Sequence, residues 1–273
     1  MNSIIAILFG VVQGVTEFIP VSSSGHLLVL HTLFPSFQVG DAIAFDVALH
    51  LGTLVAVISF FWRDCIHYLS GFFSLHPKNT EQHESRRVAR FLFLAVIPAG
   101  IVGLFFEDFI TQYLHSTLVV IMMLFIIACV FFVVEHLYAK RSMHHRIQQM
   151  SWIQSLSIGC AQVLALIPGT SRSGITIIAG ILFGLRRDEA ARFSFLVSIP
   201  LIFGAGLKKL ADLFIMGIAK EDLPIFIFGV LAAAVSGYLA IAFLMQYLSK
   251  KTLKPFAAYR IILACVLVIL FYF

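Results

Sequence analysis

The sequence predicts an all-α integral membrane protein with six transmembrane helices plus two re-entrant helical hairpins in an inverted-topology repeat. Three observations carry this expectation. Of 273 residues, 60% are apolar and 12% charged, against roughly 25% charged in an ordinary soluble domain. Six apolar blocks are long enough to cross a bilayer as helices. Two further apolar stretches are broken at their centres by Pro, Ser and Gly, and the two breaks are alike.

Composition excludes the other broad classes. One soluble core leaves many positions facing water, so a soluble chain of this size cannot hide so much apolar surface. Disorder requires low hydrophobicity and high net charge. The net charge of +5 forms no basic stripe along the chain, so nucleic acid is not an expected partner and membrane lipid is. Cys65, Cys129, Cys160 and Cys265 are widely spaced with no C-x-x-C pairing, which reads as small apolar side chains rather than disulfides or a metal site. The N-terminal stretch lacks a basic leader and a small-residue cleavage site, so it is read as part of the mature protein.

The six blocks are 41–62, 89–106, 117–138, 192–207, 223–247 and 256–273. The broken stretches are 4–34, interrupted at Ile19-Pro20-Val21-Ser22-Ser23-Ser24-Gly25, and 152–184, interrupted at Ile167-Pro168-Gly169-Thr170-Ser171-Arg172-Ser173-Gly174. Each half has roughly 10 to 15 residues, too short for a hydrocarbon core of ~30 Å at 1.5 Å per residue. Such half-helices read as re-entrant hairpins, whose irregular backbone is tolerated only in protein or beside a wet cavity. A shift of 149 residues superposes Gly10, Gln13, Ser22, Ser24 and Gly25 on Gly159, Gln162, Ser171, Ser173 and Gly174. Three spans separate the hairpins, so they are expected to enter from opposite faces. The chain is thus read as one membrane domain, 1–273, with a first repeat at 1–138 and a second at 152–273, and its site where the broken helices meet.

Lys and Arg set the orientation. Loops 63–90, 139–151, 185–192 and 248–255 hold fourteen of nineteen basic residues, and loops 107–116 and 208–222 hold Lys208, Lys209 and Lys220. The basic side is expected to be cytoplasmic, with both termini and the mouth of the first hairpin outside.

Glu17 lies three residues before Pro20 in an apolar half-helix. A charge there is costly unless it faces a cavity and has a partner, and the simpler reading is an interfacial, solvated carboxylate. Ser22-Ser23-Ser24-Gly25-His26 supplies hydroxyls, a Gly that permits close backbone approach and an imidazole, although serines alone also cap helices. Arg172, flanked by Ser171 and Ser173, suits an anionic oxygen cluster at the start of a half-helix. It also suits a structural ion pair with Glu17. Asp46 and His50, one turn apart, either line the cavity or sit at its wet edge. Arg260 is read as snorkelling or structurally paired, and His136, His144 and His145 as solvated. No P-loop, G-x-G-x-x-G or H-E-x-x-H occurs, which speaks against nucleotide-driven transport and zinc proteolysis. Broken helices around a central charged pair also fit a secondary transporter.

The motifs from Gln13 to His26 and from Pro168 to Gly174 closely resemble the two signatures of the BacA-type undecaprenyl-diphosphate phosphatases. The resemblance extends to Phe45-Asp46-Val47, Phe193-Ser194-Phe195-Leu196 and Pro255-Phe256-Ala257-Ala258-Tyr259-Arg260. It implies a multi-pass enzyme of the bacterial cytoplasmic membrane that removes the terminal phosphate of undecaprenyl diphosphate, and the basic-residue count puts its site on the periplasmic face. That activity recycles the lipid carrier for peptidoglycan synthesis and is linked to bacitracin resistance. By motif position, Glu17, Ser23, His26 and Arg172 are the expected reactive set. Gln13, Ser22, Ser24, Gly25, Thr170, Ser171, Ser173 and Gly174 are expected around the substrate. Ser23 attacks phosphorus or orients a water that does, and Glu17 or His26 manages the proton. A divalent cation, Mg²⁺ or Ca²⁺, is the expected cofactor with Glu17 as ligand, and no organic cofactor is expected. Gln13 departs from the many members with Glu there, which weakens any scheme in which two acids share the metal. The polyprenyl diphosphate lipid is the expected substrate partner and a second copy of the chain a further one. The rival class is a transporter or lipid flippase using the same site.

Overall fold

The computed structural model describes residues 2–35, 37, 42–73, 79–140, 145–216 and 221–273. His144, Lys220 and parts of the expected loops 63–90, 139–151 and 208–222 lie outside the described residues. Apolar sequence in a bilayer must satisfy its backbone internally, and helices do so segment by segment. In chain order the helices are α1 Asn2–Phe18, α2 Ser23–Leu33, α3 Ala42–Phe60, α4 Trp62–Phe73, α5 Thr80–Phe105 and α6 Glu107–Leu114. There follow α7 Thr117–Ala139, α8 Trp152–Val163, α9 Arg172–Leu182, α10 Arg187–Met216, α11 Leu223–Leu248 and α12 Lys254–Tyr272. No strand occurs among the described residues.

Five helices are long and apolar enough to span: α5, α7, α10 over Arg187–Gly206, α11 and α12. A sixth span is reached by taking α3 and α4 together, although the pair bends by 82°. Arg63 and Asp64 end the apolar run of α3 at that bend.

Several stretches expected as loops are helical. Expected loop 63–90 consists largely of α4 and the first turns of α5, expected loop 107–116 holds α6, and α10 runs from Arg187 through to Met216. The first half-helix has 17 residues rather than 10 to 15. Amphipathic and charged turns at a helix end bond their own backbone just as apolar ones do, which hydropathy alone does not register.

Polar contacts gather four basic segments at one end of the bundle. Arg192 pairs with Asp64 at the start of α4. Arg87 donates to the Met150 carbonyl at 2.6 Å, and His145 bridges to Leu185. Glu135, 1% exposed, accepts from Arg187 at 3.0 Å and from the Leu253 amide at 2.8 Å. The segments that the Lys and Arg count assigned to one side therefore share one end.

Both broken stretches are hairpins. The feet of α8 and α9 meet where Gln154 donates to the Phe183 carbonyl at 2.6 Å, at this basic end. The foot of α2 meets the middle of α1, where Phe9 packs edge-on to His31 with centroids 4.9 Å apart. From that foot α3 rises about 28 Å at 1.5 Å per residue before the chain reaches Asp64 and the basic end. The hairpins thus enter from opposite ends. Their tips meet where the Gly169 amide donates to Ser24 at 3.0 Å. Close packing of α1 on α11 fixes the first hairpin: a Cβ at Gly14 would lie 2.0 Å from the Ser236 hydroxyl oxygen.

Candidate active site

Each hairpin tip is built the same way. Ser22 and Ser171 have φ of 78° and 72°, and they are the only non-glycine residues with positive φ among those described. The left-handed region costs a residue with a Cβ on the order of 1 kcal/mol or more, and such strain persists where the surroundings impose it. Here each serine caps the helix it begins. Ser22 Oγ accepts from the Gly25 amide at 3.4 Å and Ser171 Oγ from the Gly174 amide at 3.2 Å. The hydroxyl pairs match as well, with Ser22 and Ser24 3.0 Å apart and Ser171 and Ser173 3.2 Å apart. The five identities seen at a spacing of 149 residues therefore include a shared backbone device. Its result is that the N-termini of α2 and α9 come together where the tips touch, each bringing the positive end of a helix dipole.

Charge is concentrated between the tips. Arg172 donates to Glu17 Oε1 at 2.9 Å, with the two side chains 10% and 7% exposed. A second Arg172 nitrogen donates to the Ser194 carbonyl at 3.2 Å. Glu17 Oε2 accepts from the Ser23 hydroxyl at 3.0 Å and from the Gln13 amide at 3.0 Å. His50 Nε2 lies 3.6 Å from the same oxygen, and its Nδ1 must donate to the Asp46 carbonyl, 2.8 Å away. A buried ion pair offsets its desolvation only when further hydrogen bonds hold both partners, and here Gln13, Ser23 and Ser194 do so.

A cavity of about 240 Å³ opens on this cluster. Glu17, Ser23, Ser24, His50, His115, Ser171 and Arg172 form its polar lining, and Ala165, Leu166, Ile167 and Pro168 its apolar part. A larger cleft of about 400 Å³ beside α4 and α5 is almost wholly apolar. The convergent polar groups identify the smaller cavity as the candidate site.

Of the expected reactive set, Glu17, Ser23 and Arg172 meet in this cavity, and His26 does not line it. The His26 Nδ1 contacts the Ser22 carbonyl at 2.7 Å and its Nε2 the Tyr259 hydroxyl at 2.7 Å. Because a carbonyl only accepts, Nδ1 carries the proton. Of the wider set, Ser24 and Ser171 line the cavity. Gln13, Ser22, Gly25, Thr170, Ser173 and Gly174 are buried behind it. His50 lines the cavity, whereas Asp46 pairs with His31 at 3.1 Å. His115, Ser194, Tyr259 and His31 were not singled out from sequence. Ser194 and Tyr259 stand inside recognised stretches, and His115 and His31 carry no local signal. Arg260 does not snorkel: it is 0% exposed.

The donor set does not fit a cation held by protein alone. Mg²⁺ and Ca²⁺ take six or more oxygen ligands, and the cavity offers one carboxylate, with both of its oxygens engaged by Arg172, Gln13 and Ser23. No group of three or more His, Cys, Asp or Glu residues suited to a metal occurs among the described residues.

Comparison with known proteins is consistent along the chain. The family described as "Bacitracin resistance protein BacA" matches residues 6–266. An undecaprenyl-diphosphatase of Rubrobacter xylanophilus is 44% identical over 260 residues, covering 95% of this chain and 94% of the relative. One from Moorella thermoacetica is 41% identical over 273 residues, covering 100% and 99%. One from Geotalea daltonii is 40% identical over 260 residues, covering 95% of each chain.

Proposed function

Because the chain belongs to the BacA family, we propose that it is a membrane phosphatase. It hydrolyses the terminal phosphate of undecaprenyl diphosphate to give undecaprenyl phosphate and inorganic phosphate. The observation that carries the reading is the Ser23–Glu17–Arg172 chain at the cavity. It presents a hydroxyl, a carboxylate to take its proton, and a guanidinium to hold that carboxylate and an anion.

Phosphoryl transfer depends mainly on positioning and on neutralising charge spread over the phosphoryl oxygens. Arg172, Ser24, Ser171 and the N-termini of α2 and α9 bind the diphosphate, with the polyprenyl chain leaving along apolar surface into lipid. Ser23 Oγ attacks the terminal phosphorus as its proton passes to Glu17. The bond to the bridging oxygen breaks, and undecaprenyl phosphate departs. Glu17 hands that proton to the departing phosphate, then takes one from the water that attacks the phosphoserine. It returns this proton to Ser23 Oγ as the bond breaks and inorganic phosphate leaves. The 3.0 Å contact between Ser23 Oγ and Glu17 Oε2 supports this order of roles. His26 braces the first tip from outside the cavity. Glu17 is the one carboxylate of the cavity that would hold a divalent cation, which would supply charge neutralisation, and no step above depends on it.

The cavity faces the periplasm, the four basic segments face the cytoplasm, and the chain resides in the bacterial cytoplasmic membrane. The two tip-to-tip hairpins belong to an inverted repeat, 1–138 and 152–273. A transporter reading rests on the broken helices alone, while the similarity lies with phosphatases. The test is release of inorganic phosphate from undecaprenyl diphosphate by purified protein in detergent, where no gradient exists. Stoichiometric release of phosphate and monophosphate lipid is expected. Binding without release would leave transport as the better reading.

A further inference from the structure

Arg260 is the largest fully buried side chain among the described residues and lies outside the cavity. None of the ion pairs among the described residues includes it. It is bound instead by main-chain oxygens. It donates to the Gly169 carbonyl at 2.7 Å, to Met123 at 3.2 Å and to Leu124 at 3.3 Å, with its guanidinium carbon 5.6 Å from the Phe131 ring centroid. A buried cation without a carboxylate is unfavourable, so this arrangement is a poor way to stabilise a bundle. It is an effective way to hold one turn.

Gly169 is the hinge point of the second tip. Its φ is +91°, and a Cβ there would lie 2.5 Å from the Val120 carbonyl oxygen, so the turn rests directly on the backbone of α7. Its amide donates to Ser24 of the first tip, and Arg172 follows three residues later. Arg260 therefore bridges the turn to the α7 carbonyls, and its neighbour Tyr259 reaches the first tip through His26. Successive residues on a helix point about 100° apart, which lets one turn of α12 grip both tips.

We propose that Arg260 is a positioning residue for the phosphatase reaction: by holding the Gly169 carbonyl it keeps Arg172 aligned on Glu17 and the cavity. Tyr259 braces the first tip in the same way. The proposal rests on the phosphatase reading, and the experiment separates the two. Phosphate release, kcat, KM and thermal stability in detergent are measured for the wild type, Arg260→Lys, Arg260→Gln, Tyr259→Phe, Arg172→Lys and Arg172→Lys combined with Arg260→Lys. A lysine keeps the charge but cannot reach three carbonyls at once.

The expected result is a folded Arg260→Lys protein whose kcat falls on the order of 10²-fold, the scale of a misplacement near 1 Å. In Arg172→Lys the same change should cost little more, because its effect passes through Arg172. Tyr259→Phe should lower kcat with stability unchanged. Full kcat in Arg260→Lys or Arg260→Gln overturns the proposal. So do independent, multiplying effects in the double variant, or loss of fold in both Arg260 variants, which would make the residue a stability element. No phosphate release by the wild type would instead overturn the phosphatase reading.

Discussion

At the scale of single residues, the account rests on unlike roles for three groups within hydrogen-bonding reach. Arg172→Lys keeps a positive charge but loses the planar fork that reaches both Glu17 and the Ser194 carbonyl. Phosphate release should fall by ~10²–10³, the effect of losing a transition-state electrostatic contact worth ~2.7–4 kcal/mol. Steady-state kinetics in detergent check it, and near-normal kcat would remove Arg172 from the chemistry. Ser23→Ala should abolish turnover, and trapping with radiolabelled diphosphate should then show no phosphorylated protein while the wild type shows some. Equal activity in Ser23→Ala would hand the attack to water. Glu17 and Arg172 were legible in sequence because a charge inside an apolar run needs a reason. His115 and Tyr259 were not, because His115 lines the cavity with residues remote in sequence and Tyr259 meets His26 from the far end of the chain, where no local pattern points. Among the serines, the run showed a polar tip but not its division of labour: Ser22 shapes the turn, and Ser23 and Ser24 face the cavity.

At the scale of elements, Pro, Ser and Gly between apolar halves made both hairpins legible, and the matched left-handed serines explain why those residues recur. Helices α4 and α6 were read as loops because amphipathic sequence fails a hydropathy window while still folding as helix. The same blindness displaced the start of α10 into an expected loop. Packing between elements was also unreadable, since a small residue reveals its partner only in three dimensions. Gly14 tests that packing. An added methyl would lie 2.5 Å from the Ala233 carbonyl oxygen, so α1 must move off α11 and carry Glu17 with it. Gly14→Ala should destabilise the protein by about 1–3 kcal/mol, the usual range for overpacking, and should lower kcat as well. Thermal melts in detergent would show it, and an unshifted melt would mean that α1 is not held by this contact.

At the scale of the whole molecule, the fourteen-to-three division of basic residues and the contacts gathering four segments at one end support the proposed orientation, which labelling tests. In a variant lacking the native cysteines, Asn2→Cys and Gln112→Cys should react with an impermeant thiol reagent added to intact cells, and Ser249→Cys only after lysis. The reverse pattern would turn the cavity toward the cytoplasm. The central claim is that the Glu17–Arg172 pair between the hairpin tips is catalytic rather than a brace. The most direct measurement follows thermal stability and phosphate release together in Glu17→Gln, Arg172→Gln and the two combined. Each single variant leaves one buried charge unpaired, which should cost about 3–5 kcal/mol, and removing both should restore much of that stability. The account predicts a double variant that is folded and inactive. A double variant that regains both stability and phosphate release would contradict it and leave the pair as scaffold.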